Sequence, residues 1–263
     1  MADWLAPDEA CDLRFSGPAE DLEDRLRAAL DGEPVDLFHQ PNDKRRRRKL
    51  LVADMDSTII TVECIDEMAD LLGLKAQVAA ITERTMAGEL NFPSALRERA
   101  RMLAGLGVDD LTAVFEQRIH LSPGARALVA TMSAHGAFTA LVSGGFTFFT
   151  ERVAAAAGFD HHQANRLQFA GGRLNGLVDE PILGAAEKLA ALNTLAARRK
   201  LALDETLAVG DGANDLDMIK AAGLGVAYHA KPVVAQAAAA RIDHGDLTAL
   251  LYLQGYRASQ IRY

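Results

Sequence analysis

Two aspartates stand two residues apart in Asp54-Met55-Asp56-Ser57-Thr58, directly after an apolar run. Side chains alternate along a strand, so Asp54 and Asp56 face the same way just beyond its end. Such a pair can supply a nucleophile with an acid–base partner, or bind a hard cation. A bare Asp-x-Asp also caps helices, but open α/β sheets bind ligands at strand carboxyl ends, which favours chemistry. Ser143-Gly144-Gly145 follows a second apolar run. A hydroxyl and unhindered glycine amides ahead of a helix make an anion cradle, or a plain tight turn. Gly210-Asp211-Gly212-Ala213-Asn214-Asp215 follows a third. Its glycines allow sharp turning, and Asp211 and Asp215 offer oxygen ligands; the alternative is a loop capped by Asp215. A phosphate also needs positive charge, which Lys188 could bring from a helix between the second and third motifs. Glu63 and Arg99 could hold an ammonium and a carboxylate respectively. Taken singly, Lys188, Glu63 and Arg99 read as ordinary helix charges.

The elements that must position these groups are legible from periodicity. Lys49–Met55, Phe138–Val142 and Thr206–Val209 read as buried parallel strands. Residues Glu63 to Phe115 read as helices only: Cys64–Leu72, Lys75–Ala87, Phe92–Leu106 and Val108–Ile119, with Gly73, Gly88, Gly105 and Gly107 between them. Pro123–Ala134, Thr147–Ala157, Pro181–Arg199 and Leu216–Ala222 read as helices. Gly225–Tyr228 and Arg241–Asp243 are short strands. Gly171-Gly172 between Leu167–Phe169 and Leu174–Val178 signals a hairpin. Alternating strand and helix implies an α/β fold with a parallel sheet, and the helical block interrupting it implies an inserted cap. The lead reads as strand, helix, strand: Asp12–Phe15, Ala19–Leu30 and Val35–Phe38.

The chain has 263 residues, 49% hydrophobic and 24% charged. That is globular composition, with room for one large domain and an appendage. No apolar run is long enough to span a bilayer as a helix, so no membrane partner is expected. The start lacks a basic segment followed by an apolar one, and two cysteines make no disulfide framework; a cytoplasmic location is the expectation. The net charge of −8 is uneven. Residues 1–43 hold twelve acids and three bases, and Lys44–Lys49 (KRRRRK) adds +6. That run is short, without interleaved aromatics, and follows an acidic segment. It reads as a solvated linker, and no nucleic-acid partner is expected.

The ordered set DMDST, SGG, a lysine and GDGAND resembles the haloacid dehalogenase superfamily of phosphotransferases. More narrowly, the chain resembles the phosphoserine phosphatase family through Glu63–Glu67, Met86–Phe92 (MAGELNF), Leu96–Arg99, Ser143–Phe146 and Ala164–Leu167. The likeness covers about residues 49–245. It implies a Rossmann-like three-layer parallel-sheet core with an inserted helical cap. The expected division is a lead and basic hinge at 1–48, a core at 49–66 and 118–263, and a cap at 67–117. It also implies Mg²⁺ dependence and hydrolysis of a small molecule, L-phosphoserine, the last step of serine biosynthesis. Relatives with nearly the same motifs move phosphate to homoserine or hydrolyse other small phosphates. By the resemblance, Asp54 is the nucleophile and Asp56 the acid–base. Asp54, Asp211 and the Asp56 carbonyl hold the metal, with Asp215 close behind. Ser143, Gly144 and Lys188 hold the phosphate, with Asn214 nearby. Glu63 meets the substrate ammonium and Arg99 its carboxylate, while Met86 and Phe92 form an apolar wall.

Overall fold

The computed structural model describes residues 2–17, 21–30, 32–86 and 89–263. The lead departs from the strand–helix–strand expectation. Its strands are an early antiparallel hairpin, β1 (Asp3–Ala6) with β2 (Ala10–Asp12), so Asp12–Phe15 is not a strand. The helix α1 (Leu22–Ala29) buries no side chain, and Leu26 stays 41% exposed. The expected start of this helix, Ala19, lies outside the described residues, as does Gly88. Val35–Phe38 runs without strand pairing. Asp36 explains why: its carboxylate accepts the backbone N–H groups of Asp243, His244 and Gly245, which anchors the segment without a ladder.

The basic run is exposed in part, as a solvated linker would be, but it is anchored. Arg46 pairs with Asp12 at 2.5 and 2.8 Å and donates to the carbonyls of Tyr252 (2.9 Å) and Leu253 (2.7 Å). Arg47 lies 4.2 Å over the Tyr256 ring, and Arg48 donates to the Asp204 carbonyl. The carbonyls at a helix C-terminus lack partners within the helix, and guanidinium groups satisfy them. Arg45 also donates to the Asp204 carboxylate at 3.0 Å, so all four arginines of the run reach distant parts of the chain.

The strand β3 (Leu50–Ala53) is wholly buried and opens the central sheet. Four helices follow: α2 (Cys64–Leu71), α3 (Lys75–Met86), α4 (Phe92–Met102) and α5 (Val108–Arg118). Then come α6 (Ala125–Ala134), β4 (Phe138–Phe146), α7 (Thr147–Ala157) and β5 (His161–Asn165). A hairpin, β6 (Leu167–Ala170) with β7 (Arg173–Val178), turns at Gly171 and Gly172, both at positive φ. The chain continues through α8 (Ala185–Arg198), β8 (Thr206–Gly210), α9 (Leu216–Ala221), β9 (Leu224–Tyr228), α10 (Pro232–Ala235), β10 (Ala240–Ile242) and α11 (Ala249–Leu253).

Six strands form one sheet in the order β10-β9-β8-β3-β4-β5, every pair parallel. Parallel strands need helices on both faces, and the period of two sorts the side chains accordingly. Leu51, Ala53, Leu141, Leu207 and Val209 enter one core with Leu128, Phe149 and Leu251 from α6, α7 and α11. Leu50, Val52, Ala140, Val142 and Ala208 enter the other with Leu192, Leu195 and Met218 from α8 and α9. This is the three-layer α/β architecture. No helix of the described residues is long and apolar enough to cross a membrane.

Candidate active site

The order of strands brings the three motifs together. β3 is central, flanked by β8 and β4, so their carboxyl ends lie side by side. Each motif begins where its strand leaves the sheet. After β3, the chain passes through one irregular turn, Met55–Ile59, in which Ser57 sits at φ 56°. After β8 it makes a short 3₁₀ turn, Ala213–Asp215. β4 differs from the expected strand ending at Val142. It runs on through Ser143-Gly144-Gly145 to Phe146, with its pairing to β5 interrupted between Val142 and Phe146.

Lys188 is the centre of the charge arrangement. It is fully buried, and its ammonium lies 2.6 Å from Asp54 Oδ1 and 2.7 Å from Asp215 Oδ1. Helix α8 aims it there from across β3 and β4, with its first turn capped by Glu187 on the Gly184 N–H. Burial disfavours an ammonium, yet the charges of Asp215 and Asp54 outweigh that and push Lys188 upward. Burial, then the Asp215 charge, push Asp54 upward against the pull of Lys188. Burial and Asp215 likewise push Asp211 up to about 6.

Asp54, Asp211 and Asp215 each offer an oxygen within 4.8 Å of the others. Asp215 spends one oxygen on Lys188 and the other on the Gly212 N–H at 3.1 Å. Asp211 Oδ1 accepts from the buried Thr58 hydroxyl at 3.1 Å. Asp54 Oδ2 and Asp211 Oδ2 accept no hydrogen bond from any described residue. Three carboxylates share one ammonium, and ionising all three would leave a surplus of negative charge. Oxygen donors of this type and charge fit a hard divalent cation, and the cluster is a candidate metal site.

Asp56 has its own set of partners. Its Oδ1 accepts the Cys64 N–H at 2.9 Å, where α2 begins, and its Oδ2 accepts the Ser143 hydroxyl at 3.3 Å. Ser143 Oγ in turn accepts the Gly145 N–H at 2.8 Å. Burial, with the Glu63 charge next, pushes Asp56 up to about 7, where a carboxyl group can both give and take a proton. Gly145 is required by closeness: a Cβ there would stand 2.8 Å from Asp56 Oδ2. The Phe92 ring packs against both Gly144 and Gly184, 3.1 Å from where a Cβ of Gly144 would be and 3.2 Å from that of Gly184.

Glu63 is exposed at the start of α2, and its Oε1 accepts the Ser57 hydroxyl at 2.7 Å. Arg99 is half-buried on α4 and shares the charge field of Asp66, Glu63 and Asp56; burial pulls its pKa down. Asn214 is half-buried in the 3₁₀ turn beside Asp215. The placement of the Met86 side chain lies outside what the structure describes. Three contributors lie within the motifs that carry the resemblance but have no role assigned there: Thr58 on Asp211, Ser57 on Glu63, and Asn165, which donates to the Gly144 carbonyl at 2.8 Å.

The family model for haloacid dehalogenase-like hydrolases matches residues 51–220. A phosphoserine phosphatase from Albidiferax ferrireducens is 45% identical over 210 residues, 78% of this chain and 89% of that one. A solved phospho-aspartyl intermediate analogue of phosphoserine phosphatase superposes with a TM-score of 0.73 at 36% identity, over 78% of this chain and 98% of that chain. A HAD family hydrolase from Salmonella enterica serovar Typhi superposes with a TM-score of 0.83 at 36% identity, over 90% of this chain and 83% of that chain. By its motifs, its sheet order and these likenesses, the chain belongs to the haloacid dehalogenase-like hydrolases, in their phosphoserine phosphatase family.

Proposed function

We propose that the protein is a Mg²⁺-dependent phosphatase that hydrolyses L-phosphoserine to L-serine and phosphate. The observation that carries this reading is the buried Asp54–Lys188–Asp215 array beside Asp211, together with Asp56 held by the Ser143 hydroxyl. The free oxygen of Asp54 attacks phosphorus in line as the bond to the seryl oxygen breaks, leaving an aspartyl-phosphate. Asp56 starts protonated and gives that proton to the departing oxygen. It then takes a proton from the water that attacks the same phosphorus, which frees phosphate and restores Asp54. Ser143, the Gly144 amide and Lys188 hold the phosphate oxygens, with Asn214 beside them. Asp54, Asp211 and the Asp56 carbonyl would hold the cation. When bound, Mg²⁺ supplies positive charge that offsets repulsion between the phosphate and the carboxylates.

Residues 67–117 act as a cap over a core of 49–66 and 118–263. Glu63, where the cap departs, meets the substrate ammonium, and Arg99 meets its carboxylate. Phe92 walls the space between them and the phosphate, so closure excludes bulk water. Phosphate release should be followed with L-phosphoserine, other small phosphomonoesters, and homoserine as an acceptor alcohol. L-phosphoserine should be the best substrate, EDTA should abolish release, and Mg²⁺ should restore it. Transfer to homoserine outpacing hydrolysis would make the protein a phosphotransferase, and activity unaffected by EDTA would remove the metal from the reading.

A further inference from the structure

Asn165 ends β5 and is 3% exposed. Its side chain bridges the irregular end of β4 and the segment just before α8. Nδ2 donates to the Gly144 carbonyl at 2.8 Å and to the Leu183 carbonyl at 3.0 Å, while Oδ1 accepts the Leu183 N–H at 2.6 Å. Both amide hydrogens and an oxygen lone pair are therefore committed.

Each arm reaches the reacting groups. A trans peptide is planar, with its carbonyl and N–H pointing in opposite directions. In the Gly144–Gly145 peptide, Asn165 holds the carbonyl and the N–H donates to Ser143 Oγ at 2.8 Å. That leaves the Ser143 proton for Asp56 Oδ2 at 3.3 Å. On the other arm, Leu183 precedes Gly184, whose carbonyl accepts the Lys188 backbone N–H at 3.1 Å in the first turn of α8. One side chain thus sets the turn that carries Ser143 against the helix that carries Lys188.

We propose that Asn165 is a positioning residue for phosphoryl transfer. It holds the Gly144–Gly145 peptide in register with α8, and through that peptide keeps the Ser143 hydroxyl on Asp56. The proposal rests on the phosphatase reading above. An amide is the side chain that fits. A carboxylate would set negative oxygen against two carbonyls, and an aliphatic chain would leave two carbonyls and one N–H buried without partners.

The test uses the full chain with N165D, of unchanged size, and N165A. The readouts are kcat and KM per folded molecule, and amide hydrogen exchange in segments 141–147 and 181–187. In both variants kcat should fall about 10- to 100-fold, the scale of a catalytic group displaced by about 1 Å. The ratio of KM for L-phosphoserine to KM for the phosphate ester of a neutral alcohol should stay within about twofold, because Glu63 and Arg99 are untouched. Exchange should quicken in the two segments and not in 50–53. A folded N165D with wild-type kcat overturns the proposal, and so does unchanged exchange in both segments. If N165A does not fold, N165D decides alone. A wild type inactive on every phosphomonoester would bring down the phosphatase reading itself, a result distinct from an active wild type matched by N165D.

Discussion

Lys188→Met tests whether one buried ammonium balances the acidic cluster. Methionine matches the lysine stem in length and removes the ammonium, with its charge and its N–H donors. Lys188 is fully buried and serves two carboxylates, at 2.6 and 2.7 Å. Breaking a buried ion pair from one side costs about 3–5 kcal/mol, because the partner charge stays behind without compensation. Two partners put the expected cost near the upper end, about 4–5 kcal/mol. For a chain of this size each kcal/mol shifts Tm by roughly 2–4 °C, so the melting point should drop by roughly 8–20 °C. The assay is thermal unfolding in EDTA, followed by circular dichroism. Residues that share one network are not additive. Adding Asp215→Asn to Lys188→Met should therefore recover part of the loss, since the Gly212 N–H keeps an acceptor while one stranded charge is gone. A Tm within about 2 °C of wild type would refute the reasoning. So would a double variant that loses the full sum of the single effects.

Asp54→Asn should lower turnover on the order of 10³-fold or more and abolish acid-stable labelling by ³²P-phosphoserine, yet melt no lower than wild type in EDTA, because it removes one of three crowded carboxylates. A labelled variant would exclude Asp54 as the nucleophile. Gly145→Ala places a methyl 2.8 Å from Asp56 Oδ2 and should cost kcat about 100-fold with little change in KM; steady-state kinetics with full activity would show that Asp56 has room to move. Arg99→Ala should raise KM for L-phosphoserine about tenfold or more while leaving a neutral ester unchanged, since a charge-assisted bond to the carboxylate is lost. Equal losses on both substrates would make Arg99 a structural residue.

The parts of the fold legible in the sequence are those where one physical rule dominates. Leu50–Ala53 and Leu207–Val209 are uniformly apolar because both faces of a parallel sheet are covered, and that pattern cannot be hidden. Gly171-Gly172 marked its hairpin because successive residues at positive φ favour glycine. The strand His161–Asn165 was not legible: as a sheet edge it is polar, and its pairing comes entirely from β4. The hairpin Asp3–Asp12 was hidden by its shortness and by Asp8 at the turn, at φ 58°. Among site residues, the four aspartates were found through their position at strand ends. Thr58 and Asn165 were not assigned roles, because a hydrogen bond to a distant loop leaves no periodicity. The arginines of Lys44–Lys49 misled for the same reason: charge was visible, but the carbonyls they reach, some 200 residues onward, were not.

That long reach sets an order of events during synthesis. Arg46 meets Tyr252 and Leu253, and Arg257 grips Asp3 and the Trp4 carbonyl. At translation rates of about 5–20 residues per second, roughly 10–40 s pass between the emergence of the lead and that of its partners. Over that interval the β1–β2 hairpin has nothing to dock against. The twelve acids of residues 1–43 keep the lead hydrated and repel other nascent chains while it waits.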